Sequence, residues 1–293
     1  MAIVSELKRR YSAGSILVRL IYINVVLFLV IRLMALLAML LNAPAVQVVT
    51  WLEVPSGDLL LKRPWTLLTY MFSHYDLLHI LFNMLWLYWL GRIFMEYFTG
   101  KQLGALYVLG GLLGGLLFWA AYAMLPYFDG KFGYLIGASA SVLAIVVAVA
   151  VYVPHYQIGL LFFGAVSLKW VAIITIVIDL LSVVEGNVGG QVAHLGGALM
   201  GLIYGLMMRN GHDVTAWLNK SIDWLVMLFK GRKPALKKKK VRQAASKTAA
   251  KPERSTVPDE DEIDAILDKL KRSGYGALSD EEKERLFMAS RRR

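Results

Sequence analysis

Cysteine is absent from this chain of 293 residues. Its absence excludes disulfide bonds, catalysis by a thiol and metal sites built from cysteine. Charged residues are also few, at 18%, whereas 57% of the residues are hydrophobic and the mean hydropathy is +0.55. Such a composition is too apolar for an ordinary soluble protein, and it predicts a membrane protein.

Six apolar runs predict helices that cross a membrane, because about 20 apolar residues span a hydrocarbon core of about 30 Å. These runs are 16–42, 77–91, 102–125, 134–153, 157–184 and 190–208. The predicted fold class is therefore all-α, a polytopic membrane protein with a bundle of six transmembrane helices. No cleavable signal peptide is evident, because the first run is too long for a typical signal core and no clear cleavage site follows it.

Basic residues predict the orientation of this bundle, since they favour the cytoplasmic ends of membrane helices. A basic cluster at 8–10 precedes the first run, Arg92 and Lys101 lie between the second and third, and Arg209 follows the sixth. Both termini are therefore predicted to lie in the cytoplasm. The formal net charge of +11 lies largely in the tail, and a basic tail beside a membrane helix is typical of contact with anionic membrane lipids rather than nucleic acid.

The polar parts of the chain predict four regions. They are a cytoplasmic N-terminus at 1–15, the transmembrane domain at 16–209, an amphipathic segment and basic linker at 210–256, and a small helical cytoplasmic appendage at 257–293. Within the third region, 214–229 is predicted to be an amphipathic helix at the membrane surface, and 231–256 a disordered linker. In the appendage, Ser279 with Glu282 three residues later predicts a capping box. A helix before it is predicted from apolar residues at helical spacing, namely Ile263, Ile266, Leu267 and Leu270.

Three polar residues interrupt the apolar runs, where hydrocarbon offers them no water. Asn83, Ser139 and His194 lie near the starts of the second, fourth and sixth runs. These alternate runs enter the membrane from the same side, so a rise of about 1.5 Å per residue puts all three roughly 6–9 Å deep. Small residues that let a neighbouring helix come close recur after His194, at Gly197, Gly201 and Gly205. This ridge would bring Ser139 and His194 within hydrogen-bonding distance.

The types of these residues predict nucleophilic catalysis. A serine hydroxyl needs a base to take its proton, and histidine is suited to that role. Attack on a peptide carbonyl develops an oxyanion, for which Asn83, His79 on the same helix face and the backbone N–H of Ser139 are candidate donors. No acidic residue lies near His194 in the sequence, so we predict a dyad of Ser139 and His194.

Each of these residues also has a structural interpretation. Taken singly, Ser139 fits a helix-packing hydroxyl, His194 fits a structural or proton-handling residue, and Asn83 and His79 fit interhelical hydrogen bonds. Ser141 competes with Ser139 as the nucleophile. Two residues rotate a helix by about 200°, so only one of the two serines can face His194.

Three further polar residues are interpreted as structural. Asp179 is either a polar group in helix packing, which we favour, or a residue near an interface. His74 is predicted to be a structural residue near the membrane interface, and Arg32 an adjustment of packing or tilt. A transporter or channel that uses Arg32, Asp179 and the histidines as a polar path is an alternative. It is disfavoured because no internal repeat is evident and these residues are scattered.

The polar residues together resemble the rhomboid family of intramembrane serine proteases. The likeness rests on His79-x-x-x-Asn83, Gly137-Ala138-Ser139-Ala140 and Ala193-His194-x-x-Gly197, in this order on alternate runs, and it covers about 60–208. It implies Ser139 as nucleophile, His194 as general base and then acid, and His79 with Asn83 lining the oxyanion hole. It also implies cleavage of transmembrane protein substrates near their outer membrane boundary, without metal or cofactor. The C-terminal helix pair resembles appendages of some bacterial members, which implies a bacterial inner membrane.

Two positions depart from the family pattern. Ala140 stands where the family usually has glycine, and its methyl group would narrow the oxyanion hole. Leu143 stands where some members carry an aromatic ring on the histidine, so the imidazole must pack against other residues. The alternative function is a catalytically silent rhomboid-like scaffold that binds transmembrane helices. The sequence does not specify the substrate, the oligomeric state or the role of 257–293.

Overall fold

The computed structural model describes residues 14–42, 49–160, 164–181, 187–230, 260–273 and 278–290. The chain forms two compact units, Met1–Lys233 and Pro234–Arg293. The predicted basic linker at 231–256 and nearly all of the predicted N-terminal region at 1–15 lie outside the described residues. The division into four regions therefore stays a prediction.

Helices make up most of the first unit, which confirms the all-α class. In chain order they are α1 (Ile16–Leu40), the single turns α2 (Leu59–Lys62) and α3 (Thr66–Thr69), α4 (Leu77–Tyr97), α5 (Gly100–Met124), α6 (Ser139–Tyr152), α7 (Leu168–Leu181), α8 (Val188–Arg209) and α9 (Ala216–Lys230). A 3₁₀ turn, Tyr70–Phe72, follows α3. Among the described residues, α1, α4, α5 and α8 are long and apolar enough to cross a membrane, so the predicted count of six is not confirmed.

The fourth and fifth predicted runs begin in short strands and not in helices. The fourth opens with β2 (Tyr134–Leu135), which pairs antiparallel with β1 (Val54–Pro55) from the loop after α1. The fifth opens with the hairpin of β3 (Gln157–Leu160) and β4 (Gly164–Ser167), and α7 follows it. Hydropathy misplaces these helix starts because a short apolar run fits a strand as well as a helix. Helices α6 and α7 consequently have only 14 residues each.

Helix α6 lies at the centre of the bundle, between α5 and α8, and its residues from Ala140 to Ala150 are all buried. The predicted glycine ridge is confirmed on α8. A methyl group at Gly197 or Gly201 would collide with the backbone carbonyl of Ala140 or Ala144. Backbone-to-backbone contact of this kind lets the two helices approach closely, and it fixes α8 against α6.

Helix α9 is amphipathic, as the sequence predicts. Its polar side contacts the start of α5, where the Lys101 ammonium lies 2.7 Å from the Asp223 carboxylate. Its apolar side exposes Trp217, Trp224 and Leu228, each by more than half of its surface. A location at the membrane surface stays a prediction, and aromatic residues with one apolar side suit that location.

The second unit contains α10 (Glu260–Ser273) and α11 (Asp280–Ser290). Ile266 in α10 and Leu278 just before α11 are buried. The predicted capping box is confirmed, because the Ser279 N–H donates to Glu282 Oε2 at 2.7 Å and the Glu282 N–H donates to Ser279 Oγ at 3.3 Å. Lys269 also pairs with the Glu282 carboxylate at 2.9 Å. Local side-chain bonds therefore define how this helix pair is joined.

Gly201→Ala tests the contact between α6 and α8. The added methyl meets a backbone carbonyl that cannot rotate away, so we expect the free energy of unfolding to fall by about 1–3 kcal/mol. Gly159→Ala makes the same chemical change in β3, where no atom lies within 4 Å of the new methyl. Thermal unfolding of both variants in the same detergent provides the comparison. Equal midpoints for the two variants would contradict the proposed tight contact.

Candidate active site

The turn before α6 positions Ser139, which is the first residue of that helix. Gly137 has a φ of +119°, a conformation that side-chain-bearing residues rarely adopt. A Cβ there would lie 2.6 Å from His79 Cε1, so only glycine fits between the histidine and the turn. Because Ser139 lies in the first helical turn, its backbone N–H has no carbonyl partner within the helix and can serve an external acceptor.

Hydrogen bonds to the 3₁₀ turn and its C-terminal flank hold the serine turn in place. The Gly137 N–H donates to the Tyr70 carbonyl at 3.0 Å, and the Ala138 N–H donates to His74 Nε2 at 3.2 Å. Tyr70 is itself anchored, because its hydroxyl donates to the Gly111 carbonyl of α5 at 2.6 Å. The nucleophile turn is thus tied through buried groups to the rigid bundle.

His194 lies two turns into α8 and faces Ser139. Its Nε2 is 2.6 Å from Ser139 Oγ, which is hydrogen-bonding distance. The common depth that the sequence predicts for these two residues therefore leads to contact. Ser141 is buried and its Oγ points toward Gly111 of α5, so it does not compete for the histidine.

The sequence-based prediction of a two-residue dyad missed Asp179. This aspartate lies in the last turn of α7, and its Oδ1 is 2.5 Å from His194 Nδ1. The interpretation of Asp179 as a mere packing group was thus incomplete. The two residues are 15 positions apart in sequence, and they meet because α7 and α8 are neighbours. The cost of a carboxylate in an apolar helix was the signal that it needs a polar partner.

The hydrogen bonds specify the tautomer that suits catalysis. A carboxylate has no proton to donate, so His194 Nδ1 must carry the hydrogen in its bond to Asp179. A neutral imidazole with the proton on Nδ1 has its lone pair on Nε2. That lone pair then faces the Ser139 hydroxyl, which is the arrangement a general base requires.

Asn83 and His79 lie across the cavity from His194, on α4. Asn83 is buried, and one hydrogen of its amide nitrogen donates to the His79 carbonyl at 2.9 Å, which leaves the second hydrogen available. The Asp76 carboxylate caps this helix by accepting from the His79 N–H at 2.9 Å. The four residues predicted as a site, Ser139, His194, Asn83 and His79, all line one cavity.

This cavity has a volume of about 240 Å³ and two unlike ends. Its polar end holds the four residues above together with Asp179. Its apolar part is lined by Phe82, Trp86, Val142, Leu143 and Val146. A peptide bond at the polar end would therefore have apolar side chains beside it, as a substrate in a membrane requires.

The two departures from the family pattern have different structural outcomes. The Ala140 methyl is buried and faces Gly114 of α5, where an added Cβ would lie 2.7 Å away. It does not line the cavity, so the expected narrowing of the oxyanion hole is wrong. Leu143 does line the cavity, one turn after Ser139, and supplies an aliphatic surface there.

His74 is fully buried, and its position near the membrane interface stays a prediction. Burial, with a smaller effect of His79, lowers the pKa of His74 to about 3. It is therefore neutral at physiological pH, and its Nε2 is free to accept from Ala138. Its ring also lies 5.1 Å from that of His79, centroid to centroid, so it supports both the serine turn and a candidate oxyanion donor.

His74→Gln is expected to change the pH dependence of stability. A folded-state pKa of about 3 against 6.5 in the unfolded chain means that the unfolded chain binds more protons between these values. Stability contributed by His74 is therefore present above about pH 6.5 and is lost as the pH falls toward 3, by at most about 1.4 kcal/mol per unit. Chemical unfolding of wild type and His74→Gln from pH 7 to 4 should show a shallower slope for the variant. His155→Gln, at an exposed site, is the control; identical slopes for all three proteins would refute this role.

Comparison with known proteins agrees with the geometry. The model of the Rhomboid domain matches residues 61–211, and a family of unknown function (DUF6576) matches 255–292. RHOMBOID-like protein 12, mitochondrial, of Arabidopsis thaliana is 35% identical over 162 residues, which are 51% of this chain and 48% of that protein.

Two further relatives match shorter stretches. Presenilin-associated rhomboid-like protein A, mitochondrial, of Danio rerio is 27% identical over 146 residues, 49% of this chain and 36% of that protein. Rhomboid protease GlpG of Salmonella newport (strain SL254) is 35% identical over 68 residues, 23% of this chain and 25% of that protein. This chain spans half or less of the length of these relatives. Because the Rhomboid domain model matches more than half of the chain, the protein is an integral membrane protein that belongs to the rhomboid family.

Proposed function

We propose that this protein is an intramembrane serine endopeptidase that hydrolyses peptide bonds of transmembrane substrates. The observation that carries the proposal is the 2.6 Å contact between Ser139 Oγ and His194 Nε2 in a cavity that apolar helices line. Membership of a family that includes serine intramembrane proteases supports it. The chemistry itself needs only groups that this chain contains.

In the first half of the reaction, Ser139 Oγ attacks the carbonyl carbon of the scissile peptide bond while its proton passes to His194 Nε2. Negative charge then develops on the carbonyl oxygen. The free amide hydrogen of Asn83, the His79 ring and the Ser139 backbone N–H are the donors available to that oxygen. When the tetrahedral intermediate collapses, the C–N bond breaks and His194 returns the proton to the leaving amine.

In the second half, water attacks the acyl group on Ser139. His194 takes a proton from this water, and the same donors stabilise the second oxyanion. Collapse breaks the ester bond, His194 protonates Ser139 Oγ, and a carboxylic acid is released. The balanced outcome is hydrolysis of one peptide bond, with Ser139 and His194 restored.

The structure brings no support to the two alternative functions. The scaffold hypothesis rested on Ala140, whose methyl faces away from the cavity toward Gly114. The polar path of a transporter needs Arg32 and Asp179 to share a route. Arg32 instead donates to the Tyr75 carbonyl at 3.4 Å, whereas Asp179 contacts His194.

The proposal also includes the cellular membrane in which the protein lies. We propose a bacterial inner membrane, which the resemblance of the appendage at 257–293 supports, with both termini in the cytoplasm, which the basic residues support. Two of the relatives are mitochondrial by name, so a mitochondrial membrane is the competing location. The topology test in either case is the accessibility of single cysteines, which the absence of native cysteine makes unambiguous.

Cleavage of a tagged single-pass membrane reporter tests the endopeptidase. We expect wild type and Ser141→Ala to cleave it, and Ser139→Ala and His194→Ala to lose activity by at least about 10³-fold, because each removes a group that acts in the bond-breaking steps. A serine-directed phosphonate should label wild type and not Ser139→Ala. Cleavage that survives Ser139→Ala, with equal folding, would overturn the assignment of the nucleophile.

Asn83→Ala tests the oxyanion hole. Loss of one donor at the developing charge is expected to lower kcat by about 10²–10³-fold while KM changes little, because the donor acts mainly in the transition state. Asn219→Ala, which removes an amide of α9 that does not line the cavity, is the matched control. A rise in KM with kcat unchanged would instead assign Asn83 to substrate binding.

A further inference from the structure

We propose that Asp179 is the positioning residue of His194, and that helix α7 thereby completes the catalytic arrangement from outside the tightly packed core. The inference rests on the proposed function, since it assigns a role within the same reaction. It replaces the predicted dyad by a three-residue chain of Asp179, His194 and Ser139. The following observations carry it.

Each ring nitrogen of His194 contacts one of the other two residues. Asp179 Oδ1 lies 2.5 Å from Nδ1, and Ser139 Oγ lies 2.6 Å from Nε2. The imidazole is thus held at opposite edges, which restricts its rotation as well as its tautomer. As His194 takes the serine proton it becomes a cation, and the adjacent carboxylate stabilises that charge.

Packing does not explain an aspartate at this position. Its neighbours in the last turn of α7, Leu180 and Leu181, are 44% and 71% exposed on the outer surface of the helix. A carboxylate among such residues is expensive unless it is paired. Thr175 lies one turn before Asp179 on α7. Its hydroxyl donates to the Val171 carbonyl at 2.7 Å and not to Asp179. The histidine is therefore the partner that offsets the cost.

Helix α7 is held unevenly against the bundle. Its buried residues, Leu168, Val171 and Ala172, all lie in its first half. The half that carries Asp179 is bonded to α8 through His194 and places Ile176 against the core, whereas its other apolar side chains, such as Val177, are exposed. A small outward displacement of this end would break the bond, so correct orientation of His194 requires α7 to lie against α8.

Three substitutions of Asp179 separate positioning from packing. In Asp179→Asn the amide can donate to Nδ1, which favours the tautomer with its proton on Nε2 and blocks acceptance from Ser139. We expect kcat to fall by about 10³–10⁴-fold with KM within about twofold. Asp179→Ala leaves the imidazole free to adopt either tautomer and should lose less than the asparagine variant, and Asp179→Glu should recover part of the activity. Asp223→Asn, the same change in the exposed pair with Lys101, should be without effect.

A packing role predicts the opposite order. Asparagine has nearly the same shape as aspartate, so it would then retain activity while alanine would be the most damaging of the three. That order, or full activity of Asp179→Asn, would overturn the inference. Thermal unfolding midpoints of all variants exclude loss of folding as the reason for low kcat.

A second readout does not depend on turnover. Nitrogen-15 NMR of protein labelled at its five histidines, with His194→Ala to assign the signal, reports which ring nitrogen carries the proton. We expect Nδ1 in wild type and Nε2 in Asp179→Asn; an unchanged tautomer would overturn the inference. If wild type cleaves no reporter and resists the phosphonate while the tautomer changes as expected, the proposed function fails and the positioning role stands.

Discussion

The contact between the backbones of α6 and α8 is the constraint on which the rest of the site depends. Gly197 lies against the Ala140 carbonyl, so the two helices approach more closely than side chains would allow. Ser139 precedes Ala140, and His194 lies three residues before Gly197. A displacement of about 1 Å here would lengthen the hydrogen bond between serine and histidine beyond its useful range.

The elements around this contact differ in how firmly hydrogen bonds and buried side chains hold them. The serine turn is tied to α5 and to the 3₁₀ turn through Tyr70 and His74, all within buried surroundings. The proposed oxyanion donors Asn83 and His79 lie on α4, whose start is capped by Asp76. Only Asp179 comes from a helix end with little buried surface. The proposed nucleophile is thus held by buried groups, whereas the orientation of the proposed base depends on the contributing helix with the fewest buried residues.

Hydrogen-bond partners stabilise the polar groups of the candidate site within the apolar bundle. Three polar groups in or beside the cavity have partners within this chain: Asp179 has His194, Asn83 has the His79 carbonyl, and His74 Nε2 has the Ala138 N–H. Unpaired groups at this depth would each cost several kcal/mol. The network that makes the polar end stable is therefore the same one that orients its residues for proton transfer.

The sequence by itself determined the apolar, all-α character. It also predicted the four site residues Ser139, His194, Asn83 and His79, because polar residues in apolar runs stand out by composition and helical rise predicts their depth. It misplaced the starts of α6 and α7, since hydropathy does not distinguish a short strand from a helix. Only the tertiary structure decided that the Ala140 methyl faces Gly114, that His74 supports the serine turn and that Asp179 binds His194. These depend on which helix faces are neighbours and on the rotation of each helix about its axis, and packing of the whole bundle sets both.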